Sequence, residues 1–256
     1  MEPSDFAYHP SINQSGKDQY MEIKNFGSLY LNGRPSELKP KYNGEAISLG
    51  DTVSGKAISF VKWCNLWISR QVLCPGSSWN DLEKPKLISG HPVKIDDHSY
   101  LCRAPKLGTE QGLLNEWTDI QKDLGRENPF WDWDGLFFWG QEKFALNATT
   151  RVTWGNPFDC GWSFENASAR KEDVGFRPVL KLLPPAPAVT RLLVGSDIVV
   201  YGADMSIAGR LVDFSDYDLL LSPTRWQKVP AICSWAKPDG SNIVIDRASI
   251  IWMKEV

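Results

Sequence analysis

Histidine is scarce in this chain of 256 residues. His9, His91 and His98 are too few and too scattered for a zinc site. No apolar run approaches the roughly 18 residues of a membrane helix, so no membrane partner is expected. The first twenty residues, MEPSDFAYHPSINQSGKDQY, have neither the basic nor the apolar region of a secretory signal. The expectation is a cytoplasmic chain, or one carried in a particle assembled there. Paired cysteines are missing too. Cys64, Cys74, Cys102, Cys160 and Cys233 are odd in number and form no CxxC, which fits reduced, mostly buried thiols. Positive charge is not in excess: 28 Lys and Arg stand against 31 Asp and Glu, a net charge of −3. Sequence-independent nucleic-acid binding needs a basic surface, so a nucleic-acid partner is disfavoured. No phosphate loop, GxGxxG or Ser-His-Asp order occurs. No catalytic residue, cofactor or metal is expected.

What the chain does have is aromatic residues, 12% of the total, beside 23% charged residues. That balance marks a globular protein of one or two domains. The polar first twenty residues read as a loose arm. Residues 21–51 alternate short apolar runs with Gly and Asn-Gly, a pattern of strands and turns. Ser78, with Asp81 three residues later, resembles a capping box, so a short helix is expected to start there. HPVKIDDHSYLCR reads as a hairpin turning at Asp96-Asp97. LNEWTDIQKDLG carries the best helix signal. Asn115 can cap it, Trp117, Ile120 and Leu124 share a face, and Gly125 sits just past its end. WDWDGLFFWGQE and TTRVTWG look like strands, and DVGFRPVLKLLPP like a closing strand. The stiff run LLPPAPAVT marks a boundary near Pro184 to Ala188. Beyond it, short alternating runs split by Gly-Ser, Gly-Ala, Ser-Asp and Asp-Gly read as a small all-β barrel of about five strands.

Arg151-Val152, Gly155, Ala169-Arg170 and Gly175-Phe176-Arg177 together resemble the last strands of a C-type-lectin-like fold. The version is that of the formylglycine-generating enzymes and of the variable proteins of diversity-generating retroelements. The likeness spans residues 60–183. It implies that the Arg151–Gly155 strand pairs with the Gly175–Leu182 strand, and it points to a phage or mobile-element setting. The enzymes of that family need two close cysteines just before the Gly-Phe-Arg strand. Here only Cys160 is present, and one thiol cannot cycle through an intramolecular disulfide. GRLVDFSDYDLLLSP and IVIDRASIIWM are similar to the Sm-like fold, through Gly209, Leu211, Asp213 or Asp216, Tyr217 and Leu219 to Leu221. Asp246 and Arg247 replace that family's uridine-reading residues, and an acidic group there repels phosphate. The Sm-like likeness implies a homo-oligomer more strongly than it implies RNA binding.

The expected class is therefore α+β: a C-type-lectin-like domain with a C-terminal all-β Sm-like barrel. The boundaries are 1–59 for an arm and strand-rich segment, 60–183 for the ligand-display domain, 184–188 for a Pro-rich linker, and 189–256 for the barrel. The expected role is a non-catalytic binding protein whose partner is a protein, a glycan or a small molecule. The alternatives are a formylglycine-generating-type oxidoreductase or an RNA-binding Sm-like oligomer. Trp117, Trp139 and Trp154 fall on helix or strand positions and are read as core. Trp131, Trp133 and Trp162 sit among Pro, Gly and Asp, where the chain should loop out, and compete as core or as binding anchors. The candidate ligand-binding residues are Trp131, Asp132, Trp133, Asp134, Asn156, Phe158, Trp162, Phe164 and Asn166. Trp79-Asn80-Asp81 spells a tripeptide that sugar-binding C-type lectins use with calcium, but it lies well before the ligand loops, and helix capping explains it more simply.

Overall fold

The computed structural model describes residues 9–11, 19–109, 115–126, 128–144, 146–155, 161–203, 205–223 and 234–256. The chain divides into two units, Met1–Leu182 and Leu183–Val256. It is mostly β, a β-rich α+β chain.

Turn chemistry builds much of the first unit. Strands β1 (His9–Ser11) and β2 (Gln19–Met21) pair antiparallel. Strand β3 (Ile23–Leu31) turns at Asn32-Gly33 into β4 (Arg34–Pro35). Both turn residues have positive φ, 50° and 73°, as a two-residue hairpin requires. β3 also pairs with β5 (Ile47–Gly50) and with β6 (Ala57–Trp63), which folds back into β7 (Leu66–Ser69). β8 (His91–Ile95) and β9 (His98–Arg103) form the expected hairpin. Asp96 and Asp97 adopt φ of 48° and 67° in its turn. These strands join β14 (Val179–Leu182) in an eight-stranded sheet ordered β4-β3-β6-β7-β14-β9-β8, with β5 beside β3. Residues 23–59 thus contribute β3, β4, β5 and the start of β6 to this sheet and are not a separate segment, because β3 supplies the long neighbour of β6.

A second sheet has four strands: β10 (Phe137–Lys143), β11 (Thr150–Gly155), β12 (Trp162–Asn166) and the short β13 (Val174–Gly175), ordered β12-β11-β10-β13. This corrects the expected pairing. The Arg151–Gly155 strand pairs with β10 and β12, and β10 lies between it and Val174–Gly175. Strands that resemble family neighbours one by one do not fix which third strand inserts between them.

The Gly-Phe-Arg segment carries the chain from one sheet to the other. A Cβ on Gly175 would lie 2.5 Å from the Leu73 carbonyl oxygen, so only glycine fits. Phe176 exchanges two backbone hydrogen bonds with Leu73, at 2.6 and 2.8 Å. Neighbouring residues on the central strands enter different cores. Phe60, Leu180, Trp139 and Phe176 join one cluster, whereas Val61, Val179 and Phe138 join the other. The alternation of strand side chains places one core on each face of the large sheet.

Two helices start as their sequences require. α1 (Trp79–Glu83) has a full capping box between Ser78 and Asp81. α2 (Glu116–Leu124) is capped by Asn115 and Thr118 and ends at Gly125 with φ 86°. It buries Trp117 and Ile120. A single turn, α3 (Asn128–Trp131), follows.

The second unit is an antiparallel sheet of β15 (Asp197–Tyr201), β16 (Ser206–Phe214), β17 (Asp218–Pro223), β18 (Ala236–Asp239), β19 (Asn242–Asp246) and β20 (Trp252–Glu255). Its order is β18-β19-β17-β16-β15-β20, so the last strand returns beside the first. Among the described residues there are six strands where about five were expected, because Lys237-Pro238-Asp239 before Gly240 forms its own hairpin arm with β19. A register shift between Leu211 and Asp213 bends β16. Ile198, Val200, Leu211, Leu219, Leu221, Ile243 and Ile245 alternate inward to form its core. Trp235 packs so close to Gly202 that a Cβ there would lie 2.2 Å from the indole.

Candidate functional site

The Trp131–Asp134 stretch does not loop out. Trp131 and Trp133 are 0% and 1% exposed, so they are core residues and not accessible anchors. The acids between them absorb the turn: Asp132 and Asp134 take φ of 43° and 46°, which lets both indoles face inward. What the indoles face is Arg177 of the Gly-Phe-Arg segment. Its guanidinium lies 4.9 to 5.5 Å from the ring centres of Trp117, Trp131, Trp133 and Phe138. It donates to the carbonyl oxygens of Ser69, Arg70 and Trp131 at 2.8, 2.6 and 3.0 Å. Burial lowers its pKa to about 9, so it stays charged at neutral pH. Carbonyl dipoles and ring faces take the place of a counter-ion. Asp132 and Asp134 point to the surface, where both pair with Lys39.

Accessible aromatic surface lies instead at one edge of the four-stranded sheet. β12 is the outermost strand, and the register with β11 sets Trp162 opposite Trp154 and Phe164 opposite Val152. Phe164 is 49% exposed. Its ring stacks on Phe144, with centroids 4.6 Å apart and planes at 9°. Trp162 completes the group, 6.1 Å from Phe144 and 6.2 Å from Phe164. Leu146, in the turn between β10 and β11, is 87% exposed. Phe144 and Leu146 were missed from sequence, although two large apolar residues in a polar turn, Lys143-Phe144-Ala145-Leu146-Asn147, are a usable signal. Asn166 serves its own turn by accepting from the Ser168 amide and hydroxyl at 3.0 and 2.9 Å. Asn156, Phe158 and Cys160 lie outside the described residues.

The strand behind this group is firmly held. Arg151 stacks 4.4 Å from the Trp79 ring and donates to the Ala148 carbonyl at 2.8 Å. Its neighbour Val152 turns the other way into the aromatic core. After β12, Arg170 forms two 2.8 Å bonds to the two oxygens of Asp81. That pairing, together with the Ser78 cap bonds, holds the Asp81 carboxyl down at about 2 against the opposing effect of burial. The Trp79-Asn80-Asp81 carboxylate is therefore spent on a helix cap and an arginine.

The two buried thiols are inert and the Asp246 carboxylate is structural. Burial pushes the Cys74 thiol up to about 12 and raises that of Cys102 as well, so neither is a ready nucleophile. Among the described residues, no group of three or more His, Cys, Asp or Glu could hold a metal ion. Asp246 caps a 3-10 turn, accepting from the Ala248 amide at 3.1 Å and the Ser249 hydroxyl at 2.6 Å. A shallow groove of about 240 Å³ in the second unit is flanked by Asp213, Phe214 and Asp218, and its carboxylates disfavour phosphate. No described helix is long and apolar enough to cross a membrane. No family model, curated protein or solved structure matches the chain.

Proposed function

We propose that the chain is a non-catalytic binding protein. A C-type-lectin-like unit presents the Phe144, Trp162 and Phe164 rings to a ligand, and a small Sm-like unit assembles copies of the chain. The observation that carries this reading is the stacked, half-exposed Phe144–Phe164 pair on a sheet edge. Stacked rings on a rigid strand offer apolar contact area with little ordering cost, which is what a binding anchor needs. The support for the lectin-like reading is the Gly-Phe-Arg segment with its buried arginine, two capped helices in the expected order, and a ligand face at the end of the smaller sheet. The support for the Sm-like reading is a bent second strand, a 3-10 turn before the last strand, and the return of that strand to pair with the first. Catalysis of the formylglycine type is disfavoured because only one cysteine, Cys160, lies just before the Gly-Phe-Arg segment, where two close cysteines are needed.

The test uses a glycan array and a peptide display library, each probed with the full chain. Binders should weaken at least about tenfold with Phe164→Ala or Phe144→Ala, the loss expected of an anchor. They should be unchanged by Tyr217→Ala, an exposed aromatic of the second unit. Binders indifferent to both phenylalanines would overturn the reading, as would thiol-dependent oxidation of a cysteine peptide by the protein.

A further inference from the structure

The backbone of β12 says what kind of partner fits beside these rings. In the hairpin of β11 and β12, Gly155 N–H donates to the Gly161 carbonyl at 2.9 Å, and Ala167 N–H to the Thr149 carbonyl at 2.8 Å. In an antiparallel pair, hydrogen-bonded and non-bonded residue pairs alternate. With this register, Gly161, Ser163, Glu165 and Ala167 turn their backbone groups toward β11. Trp162, Phe164 and Asn166 turn theirs outward. The outward Asn166 carbonyl accepts from Ala169 N–H at 2.9 Å. Trp162 and Phe164 are left presenting two N–H donors and two C=O acceptors at a sheet edge that has no neighbouring strand among the described residues.

Five other strand edges are blunted. Proline, which removes a ladder donor and discourages strand addition, occupies three of them. It stands at Pro35 in β4, Pro92 in β8 and Pro238 in β18. β13 is only two residues long, and β20 carries the charged Lys254 and Glu255. β12 reads Trp-Ser-Phe-Glu-Asn, with no proline and no lysine.

We infer that the β12 edge binds an extended peptide by strand addition, with an apolar or aromatic side chain of the peptide set against Phe164. The inference rests on the binding reading above and names the ligand class for the same site. Alternating donors and acceptors match a polypeptide backbone, whereas a nucleic-acid backbone offers acceptors and phosphate charge instead. The two faces of the strand set the sequence preference. On one face Trp162 and Phe164, with Phe144 stacked on the latter, call for apolar or β-branched residues at alternate positions. On the other, Ser163 and Glu165 call for small or polar ones, and Glu165 is already neutralised by Lys171. The recognised segment therefore alternates apolar and polar residues around one large apolar position.

The experiment selects a library of 12-residue displayed peptides on the full chain. It then follows amide hydrogen exchange with a selected synthetic peptide. The expected peptides alternate apolar and polar residues. The Trp162 and Phe164 amides should exchange quickly in the free protein and slow markedly in the complex, while those of Ser163 and Glu165 are slow in both. Phe164→Leu keeps the outward N–H and should hold affinity within about fivefold. Phe164→Pro removes that N–H without breaking a bond to β11 and should weaken binding beyond about fiftyfold. Several results overturn strand addition. One is a complex in which the two amides stay unprotected. Another is equal affinity of the Leu and Pro variants. A third is concentration-dependent protection in the free protein, which would make a second copy the occupant. If the two amides stay unprotected but Phe164→Ala still weakens binding, the aromatic reading survives and strand addition fails. If Phe164→Ala has no effect either, both fail.

Discussion

The Arg177 guanidinium lies 4.9 Å from the centre of the Trp133 ring, fully buried. Among the described residues, no carboxylate forms an ion pair with it. Three carbonyl oxygens from two distant segments converge on it, so the arginine ties Ser69-Arg70 at the end of β7 to Trp131 at the end of α3. Arg177→Met fills much of the volume but leaves three buried acceptors unpaired. At about 1–3 kcal/mol for each unsatisfied group, a loss of roughly 3 kcal/mol or more is expected in urea unfolding. Arg177→Lys should also destabilise, because one ammonium cannot span three carbonyls and four rings as a planar guanidinium does. A loss below about 1 kcal/mol in both would show that the cage does not depend on this cation.

Buried and edge aromatics should separate cleanly by stability. Trp133→Ala empties a site in the aromatic core and is expected to cost about 3–5 kcal/mol. Phe164→Ala removes a half-exposed ring and should stay within about 1 kcal/mol in the same urea titrations. Equal losses would place Phe164 in the fold and remove it as an anchor.

Asp81 gives a pH signature. Its carboxyl is held at about 2, chiefly by the Arg170 bonds, whereas an unfolded aspartate titrates near about 3.9. The unfolded chain therefore binds the proton first as pH falls. The stabilisation is complete above about pH 4 and is lost as pH drops toward about 2. Thermal midpoints of the wild type and Asp81→Asn should differ at pH 5 and converge by pH 2. A gap that stays constant across that range would mean that the pair contributes nothing through its charge.

Assembly should reside in the C-terminal unit. A unit this small buries little core on its own, and the proposed Sm-like reading implies assembly of copies. Light scattering should find the full chain oligomeric and a chain ending at Pro185 monomeric. A full chain that remains monomeric at high concentration contradicts this.

Features carried by local chemistry were legible in the sequence. The Ser78–Asp81 box, the Asn115 cap and the Asp96-Asp97 turn each depend on a few adjacent residues. The partner of Arg151–Gly155 was not legible, because strand pairing is set by distant segments and β10 inserts where resemblance placed the closing strand. Whether Trp131 and Trp133 are core or anchors stayed open for a related reason, and both are core. Asp and Gly neighbours signal a turn, but not which way its side chains face. The surroundings of Arg177 were not legible either, because a single charge in the apolar run Gly175–Leu180 does not reveal which rings pack around it. Trp162, expected where the chain loops out, instead lies with Phe164 on the strand β12.

The most direct measurement of the central claim is a two-dimensional amide NMR titration of the full chain with its best selected ligand. The largest shifts should fall on Phe144, Leu146, Val152 to Trp154 and Trp162 to Asn166. Shifts centred on the Asp213–Leu220 groove or on Asp132 and Asp134, with the β12 edge unmoved, would contradict it.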